Sequence, residues 1–136
     1  MEADSNERKT VLSAGRIIKH ILRGLPGVPV YPVIAPAEGL MPAIVYRRAS
    51  LAESGVKCGL PADAALYEME IWAAAYAEGL AIAERVRSLI GQAQGTVEPE
   101  TGLRLRSASL ENAYEQGTVE GAYIQCMTFL LRINGN

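Results

Sequence analysis

The C-terminal segment of the chain has the pattern of a long β-strand. Between Ala122 and Ile133, apolar side chains recur at positions an even number of residues apart: Tyr123, Met127, Phe129, Leu131 and Ile133. Because side chains alternate between the two faces of a strand, this spacing places them on one face. The segment is long and contains no proline, so we predict a central strand of a sheet.

A second alternating segment lies in the middle of the chain, in the stretch ALYEMEIWAAAY. Tyr67, Met69 and Ile71 fall on one face, and Glu68 and Glu70 fall on the other. This pattern is typical of a half-buried strand whose apolar face packs on a core.

Two further strands complete the predicted sheet. The stretch PAIVYRRAS predicts a strand from Ala43 to Ala49, with proline tolerated at its start or on an edge strand. Another strand is predicted from Leu103 to Glu115. The stretch EQGTVEG contains two glycines and suits the turn of a hairpin that leads into the C-terminal strand.

Two segments have helical periodicity. The first runs from Arg8 to Arg23, with its apolar residues at a 3.6-residue period: Val11, Ala14, Ile18, Ile21 and Leu22. His20, the only histidine, lies in its last turn, where positive charge suits the helix dipole. The second helix is predicted from Tyr76 or Ala77 to Ile90, followed by Gly91.

The predicted element order is helix, strand, strand, helix, strand, strand. Hairpin pairs of strands with helices gathered together indicate the α+β class. We predict a two-layer sandwich, with an antiparallel sheet of about four strands and two helices packed on one face. A length of 136 residues fits one domain over residues 1–136, of which residues 1–7 are expected to be disordered.

Four prolines stiffen the stretch before the first predicted strand: Pro29, Pro32, Pro36 and Pro42. Proline fixes its own φ and pushes the preceding residue towards extended geometry. We predict an extended, ordered arm that leads into an edge strand and contacts a neighbouring subunit. Residues Leu51 to Asp63 have no periodicity and are predicted to form a loop.

Composition argues against several classes of protein. The net charge is −2, whereas nucleic-acid binders normally carry a basic surplus. No run approaches the ~20 apolar residues that span a bilayer, and the first residues are too charged for a signal peptide. We therefore expect a reducing compartment, with Cys58 exposed in a loop and Cys126 in the core as free thiols.

The charged residues do not form a recognisable catalytic set. Without a second histidine or a Cys-His pair, neither a nucleophilic triad nor a metal site is expected. Glu68 and Glu70 share one strand face, and Arg104 and Arg106 share another; Arg47 and Arg48 are adjacent. These charges are compatible with pairing across the sheet, with pairing between subunits, or with an ordinary solvated surface.

Three stretches together resemble a known family. They are VYPVIAPAEGLMPAIVYRRAS, YEMEIWAAAYAEGLAIAERVRSLI and GAYIQCMTFLLRI. They are similar to the proline-rich segment, the strand-to-helix unit and the final strand of the tail-completion or tail-terminator proteins of long-tailed bacteriophages. One departure is Ala43, which stands where an aromatic residue is common in that family.

The resemblance implies a structural protein of a phage or prophage tail with an α+β sandwich fold. Such proteins form a ring, commonly hexameric, that caps the tail tube, ends its polymerisation and presents a surface to the head-neck connector. The implied partners are other copies of the chain, the tail tube protein and connector proteins, and the implied location is the tail end of the virion, after assembly in the host cytoplasm. No enzymatic activity and no cofactor are implied.

Each interface residue proposed from the sequence either carries a charge or lies in the predicted arm. They are Tyr31, Pro32, Pro36, Arg47, Arg48, Glu68, Glu70, Arg104 and Arg106. Two other functions remain open at this point: a neck connector or adaptor that joins head and tail, and a small-ligand or enzymatic α+β domain.

Overall fold

The structure is a computed structural model that describes residues 11–35, 40–52 and 63–134. Three sequence-based expectations lie outside these ranges. They are the disorder of residues 1–7, residues 53–62 of the predicted loop with Cys58, and the position of Pro36. The described ends of that loop, Leu51, Ala52 and Asp63, lie in strands, so the loop prediction is wrong there.

Both predicted helices are present. Helix α1 spans Gly15–Leu22 and follows a single 3₁₀ turn at Val11–Ser13, so its described part is shorter than the predicted helix. Helix α2 spans Tyr76–Gly91, as the periodicity predicts. Each helix buries one apolar stripe: Ile17, Ile18, Ile21 and Leu22 in α1, and Gly79, Ala83, Val86 and Ile90 in α2.

The sheet has five strands, where the sequence predicts about four. Their bounds are β1 at Val30–Pro32, β2 at Ala43–Ala52, β3 at Asp63–Ala73, β4 at Arg104–Gly117 and β5 at Tyr123–Asn134. The spatial order is β1-β2-β3-β5-β4. Strands β2 to β5 are antiparallel to their neighbours, but β1 runs parallel to β2, so the sheet is mixed.

The additional strand β1 lies inside the proline-rich stretch. The Ile44 N–H donates to the Pro29 carbonyl at 2.9 Å, and the Val33 N–H donates to the Tyr46 carbonyl at 2.7 Å. The first part of the predicted arm therefore pairs with its own chain. Because β1 lies beside β2 from Ile44 to Tyr46, the prediction that β2 is an edge strand is wrong over these residues. Three residues are too few to show an alternating pattern, which is why the sequence does not reveal this strand.

Both helices cover the same face of the sheet, as predicted. Buried side chains from α1 and α2 join the inward residues of the strands in one apolar cluster, whose sheet members include Ile44, Tyr46, Tyr67, Met69, Ile71, Met127, Phe129, Leu131 and Ile133. The alternation predicted for β3 and β5 is confirmed, except that Tyr123 at the start of β5 is 44% exposed.

The predicted central position of the last strand is also confirmed, because β5 lies between β3 and β4. Strand β4 forms one edge of the sheet and contains two irregularities, between Leu105 and Ser107 and between Leu110 and Asn112. Strand β1 forms the opposite edge. The face away from the helices carries the charged residues discussed next.

Candidate functional site

One face of the sheet is not covered by either helix, and we call it the open face. The register aligns Tyr31, Val45, Glu70, Cys126 and Tyr114 in one row across all five strands of this face. Val45 and Cys126 are buried between larger neighbours, whereas Tyr114 is 50% exposed. The open face is therefore a mixed surface, partly apolar and partly charged.

A charged network occupies the β2–β3 part of the open face. The Arg47 guanidinium Nη1 lies 3.4 Å from Glu68 Oε1 and 3.4 Å from Glu70 Oε2. The Trp72 indole N–H donates to Glu70 Oε1 at 3.0 Å. Arg47 lies directly opposite Glu68 in the register, so the antiparallel pairing of β2 with β3 brings these charges together.

The electrostatics of this network favour the charged form of Arg47. Burial alone would lower the pKa of Arg47, but the hydrogen bonds and negative charges of Glu70 and Glu68 outweigh it and raise that pKa. The network carries two carboxylates against one guanidinium, so this part of the open face keeps an excess negative charge.

Cys126 lies beside this network on the open face. The residue is 4% exposed and its thiol is free. Burial, reinforced by the negative charge of Glu70, raises the pKa of the Cys126 thiol. The thiol therefore stays protonated at neutral pH and is a poor nucleophile. The prediction that Cys126 is buried is confirmed, but it lies on the open face and not beneath the helices.

Arg48 points to the opposite side of β2 from Arg47. Its Nη1 donates to the Leu12 carbonyl at 2.9 Å. Around it lies a groove of about 420 Å³, which we call the edge groove and which is lined by Leu12, Ser13, Gly15, Pro32, Val33, Tyr46, Arg47, Arg48 and Tyr67. Arg47 and Arg48 are adjacent in the sequence and were grouped as one basic pair. Because successive side chains of β2 point to opposite faces of the sheet, the two arginines lie on different sides of it.

The floor of the edge groove depends on a close approach between α1 and the sheet. A Cβ atom on Gly15 would lie 2.8 Å from Tyr46 Cε2 and 3.5 Å from the Tyr67 hydroxyl. The rings of Tyr46 and Tyr67 are 6.4 Å apart, and burial raises the pKa of both hydroxyls. Glycine at position 15 therefore lets the helix start directly on the Tyr46 ring.

The rim of the edge groove contains a strained residue. Val33 has φ 69° and its side chain is 64% exposed. Positive φ is unfavourable for a β-branched residue, and the left-handed region costs about 1–2 kcal/mol per residue. An exposed apolar side chain at a strained position gives the isolated chain no evident benefit.

A second polar cluster lies at the β4–β5 edge and was not predicted from the sequence. The Tyr76 hydroxyl donates to Glu115 Oε2 at 2.6 Å, and Gln125 Nε2 donates to the same oxygen at 3.0 Å. The Tyr76 and Tyr123 rings meet edge to face with centroids 6.0 Å apart. The hydrogen bonds of Tyr76 and then Gln125 hold the pKa of Glu115 below its usual range. Tyr76 and Glu115 are far apart in the chain, so no local pattern connects them.

A buried acid organises the turn before β4. Glu98 is 5% exposed, and its carboxylate accepts hydrogen bonds from the Thr101 hydroxyl at 2.6 Å, the Thr101 N–H at 2.8 Å and the Glu100 N–H at 3.1 Å. These bonds, with Thr101 as the main contributor, lower the pKa of Glu98. Its role is to hold the turn, which the sequence stretch VEPETG does not indicate.

Arg104 and Arg106 do not approach Glu68 and Glu70. Strand β5 separates β4 from β3, and Arg104 lies opposite Asn134, whereas Glu68 lies opposite Thr128. Of the alternatives given above, the one in which these arginines pair with the glutamates across the sheet of one chain is therefore wrong. Arg104 donates to the Gly95 carbonyl at 3.4 Å. The irregularity after Leu105 displaces Arg106 from the regular alternation.

The remaining predicted interface residues lie at the β1 edge. Tyr31 is half-buried in the middle of β1, and Pro32 is exposed at its end. His20 lies in the last turn of α1, as predicted from the sequence.

The described ranges contain neither a metal-binding cluster nor a helix that could span a membrane. Within residues 11–35, 40–52 and 63–134, no three His, Cys, Asp or Glu side chains gather in a way that would hold a metal ion. Neither α1 nor α2 is both long and apolar enough to cross a membrane, and these are the helices in the part of the chain that the structure describes.

The fold is similar to that of a solved virion protein. No protein-family model matches the chain, and no curated protein matches it in sequence. Among solved structures, it is similar to a chain described as part of the virion of a native gene transfer agent particle. The similarity has a TM-score of 0.63 at 16% sequence identity and covers 93% of this chain and 100% of that chain. At this identity, the likeness establishes a shared fold.

Proposed function

We propose that the chain is a structural protein of a phage-like virion, in which a ring of copies caps the tail tube. The ring ends polymerisation of the tube and presents the surface that joins the head. The observation that carries this proposal is the fold likeness to a virion chain over almost the whole length of both proteins. The sequence resemblance to tail-terminator proteins supports the same class by a separate route.

The surface of the described chain suits a protein that works in an assembly. Three large apolar residues between β1 and β2 are strongly exposed: Val33 at 64%, Ile34 at 77% and Leu40 at 81%. Exposed apolar groups that cluster on a surface mark sites of interaction with other proteins. Together with the partly apolar open face, they offer contact area for neighbouring subunits and for the tube.

The proposal assigns the chain no catalytic step. The buried Cys126 thiol has a raised pKa, which argues against its use as a nucleophile. Glu68 and Glu70 both lie 3.4 Å from the Arg47 guanidinium, so the same cation engages the two carboxyl groups. The proposal uses this network as an electrostatic contact surface.

In this proposal the charged open face and the β1 edge contact the neighbouring copies, the tube and the connector. The residues assigned to these contacts are Tyr31, Pro32, Pro36, Arg47, Arg48, Glu68, Glu70, Arg104 and Arg106. Arginine and tyrosine are enriched at protein interfaces, because they combine large contact area with directed hydrogen bonds.

Deletion of the gene from the strain that makes the particle tests the proposed function. Electron microscopy then measures the length of the tail tubes. We expect overlong tubes without heads, because nothing ends polymerisation. Tails of normal length that fail to join heads would instead assign the chain to the neck as a connector. Intact, full-titre particles would contradict both roles.

A further inference from the structure

The opposite edges of the sheet carry two features that complement each other. At the β1 edge lies the edge groove, with apolar rim residues Leu12 and Val33 and with Arg48. On the side of the sheet bounded by β4, the β4–β5 hairpin ends in the turn of residues 118–122, which we call the hairpin tip. Val119 in this tip is 100% exposed.

The hairpin tip is an ordered projection. The Thr118 N–H donates to the Ala122 carbonyl at 3.0 Å, the Gly121 N–H donates to the Thr118 carbonyl at 3.1 Å, and the Ala122 N–H donates to Thr118 Oγ1 at 3.0 Å. Gly121 has φ 99°, which glycine adopts without strain. A turn held in this way loses little conformational entropy when it binds, so Val119 is presented ready for contact.

The two features have opposite charge. Residues 114–123, the hairpin tip and its flanks, include Glu115 and Glu120 and contain neither lysine nor arginine. Among the described residues, the lining of the edge groove includes Arg47 and Arg48 and no acid. Arg47 is engaged with Glu68 and Glu70, so Arg48 supplies most of the positive charge available to a ligand of the groove. The complementarity favours association of the tip of one molecule with the groove of another.

Backbone pairing between the two sheet edges is unfavourable. Strand β4 is long but contains two bulge-like irregularities, which disrupt the ladder that a new strand would need. Strand β1 has three residues and ends in Pro32, which has no N–H to donate. These features favour a contact between copies that is made by side chains, and the edge groove and the hairpin tip provide them.

We propose that the hairpin tip of one copy docks in the edge groove of the next copy, with Val119 against Leu12 and Val33 and with Glu120 near Arg48. Because the two surfaces differ and lie at opposite edges of the sheet, the contact is head-to-tail and each copy uses both. In this contact the neighbour buries the exposed Val33 side chain, which offsets the strain of its positive φ. The contact specifies how the proposed ring is built, and it rests on the proposed function only for closure into a ring.

Two single substitutions disable one surface each without touching the core. Val119→Asp adds charge to the acidic tip and removes its apolar contact. Val33→Asp places an acid in the groove that receives the tip, and it suits the fold because aspartate tolerates positive φ better than valine. The matched control is Ala81→Asp, at an exposed position of α2. Thermal unfolding of each of the three variants checks that it is folded.

The experiment is light scattering of the purified full chain from micromolar to millimolar concentration. We expect the wild type and the control to form multimers, and each single variant to remain monomeric. An equal mixture of the two variants should form dimers and stop there, because the intact tip of one variant fits the intact groove of the other. The remaining tip and groove of that dimer are both disabled.

Three results would overturn this contact: a mixture that stays monomeric, variants that assemble like the wild type, or a wild type that is monomeric at every concentration. None of them bears on the gene-deletion experiment, which reports tail length and head joining. Dimers in the mixture together with intact particles after deletion would leave the contact standing and remove the proposed role.

Discussion

Arg47 on β2 and Glu68 on β3 are cross-strand neighbours, and the Arg47 guanidinium lies 3.4 Å from the carboxylates of both Glu68 and Glu70. The side chain of Glu70 is 25% exposed and that of Glu68 is 47% exposed. Because water screens the less exposed pair less, we expect the larger coupling energy for Arg47 with Glu70, at about 1 kcal/mol. A double-mutant cycle with Arg47→Ala and Glu70→Ala, followed by urea unfolding, measures it.

The ion pair of Arg16 with Glu100 is the matched control for this cycle. Its atoms are closer, at 2.6 Å, but the side chains are 58% and 72% exposed. Solvent exposure outweighs the shorter distance, so we expect a coupling below about 0.5 kcal/mol. A larger coupling for Arg16 with Glu100 than for Arg47 with Glu70 would contradict this order.

Gly15→Ala is expected to destabilise the chain. Its Cβ would meet the buried Tyr46 ring at 2.8 Å, so either the ring or the start of α1 must move. Overpacking of this kind costs about 1–3 kcal/mol in the free energy of unfolding. Gly91→Ala, with nothing within 4 Å of the added atom, should leave stability unchanged or raise it by up to about 1 kcal/mol. Equal effects of the two substitutions would show that the approach of α1 to Tyr46 is not tight.

Glu98 should make the stability of the chain depend on pH in the acid range. Its folded-state pKa is lower than that of the unfolded chain, so its carboxylate stabilises the fold fully above the ordinary carboxyl pKa. The stabilisation is lost as the pH falls through the lowered folded-state pKa. We expect Glu98→Gln to be less stable than the wild type at neutral pH and to lose this difference in acid. Urea unfolding over a pH series measures it, and a difference that does not change with pH would contradict the prediction.

Tyr76→Phe should raise the pKa of Glu115. The Tyr76 hydroxyl donates to the Glu115 carboxylate at 2.6 Å and is the main reason why that pKa is low. Carboxyl NMR titration of Glu115 measures the shift. Tyr114→Phe is the control, because the Tyr114 hydroxyl contacts Cys126 and is not among the causes of the low pKa. An unchanged Glu115 pKa in Tyr76→Phe would show that Gln125 alone holds the carboxylate.

The sequence predicts those elements whose pattern is long and regular. Strands β3 and β5 alternate along most of their length, and helix α2 keeps its period to Ile90, one residue short of its observed end at Gly91. Their type and position are therefore confirmed. Strand β1 was missed because three residues, preceded by Pro29 and ending in Pro32, are too few to show a period. Its pairing with β2 depends on residues that lie 14 positions away in the chain, as in Val30 opposite Ile44.

The candidate site was only partly visible from the sequence. The same-face geometry of Glu68 and Glu70 follows from alternation, and their contact with Arg47 follows once β2 and β3 are neighbours. The position of Arg104 depends on the spatial order of β5 and β4, which local pattern does not encode. The cluster of Tyr76 with Glu115 and the strain at Val33 likewise arise only from the packed fold.

The most direct test of the central claim is a cryo-electron microscopy map of the assembled particle. The proposed function predicts density for this α+β fold as a closed ring at the head-proximal end of the tail tube, with adjacent copies in contact. A map in which the chain is absent from the particle, or lies in the capsid or along the tube, would contradict the claim.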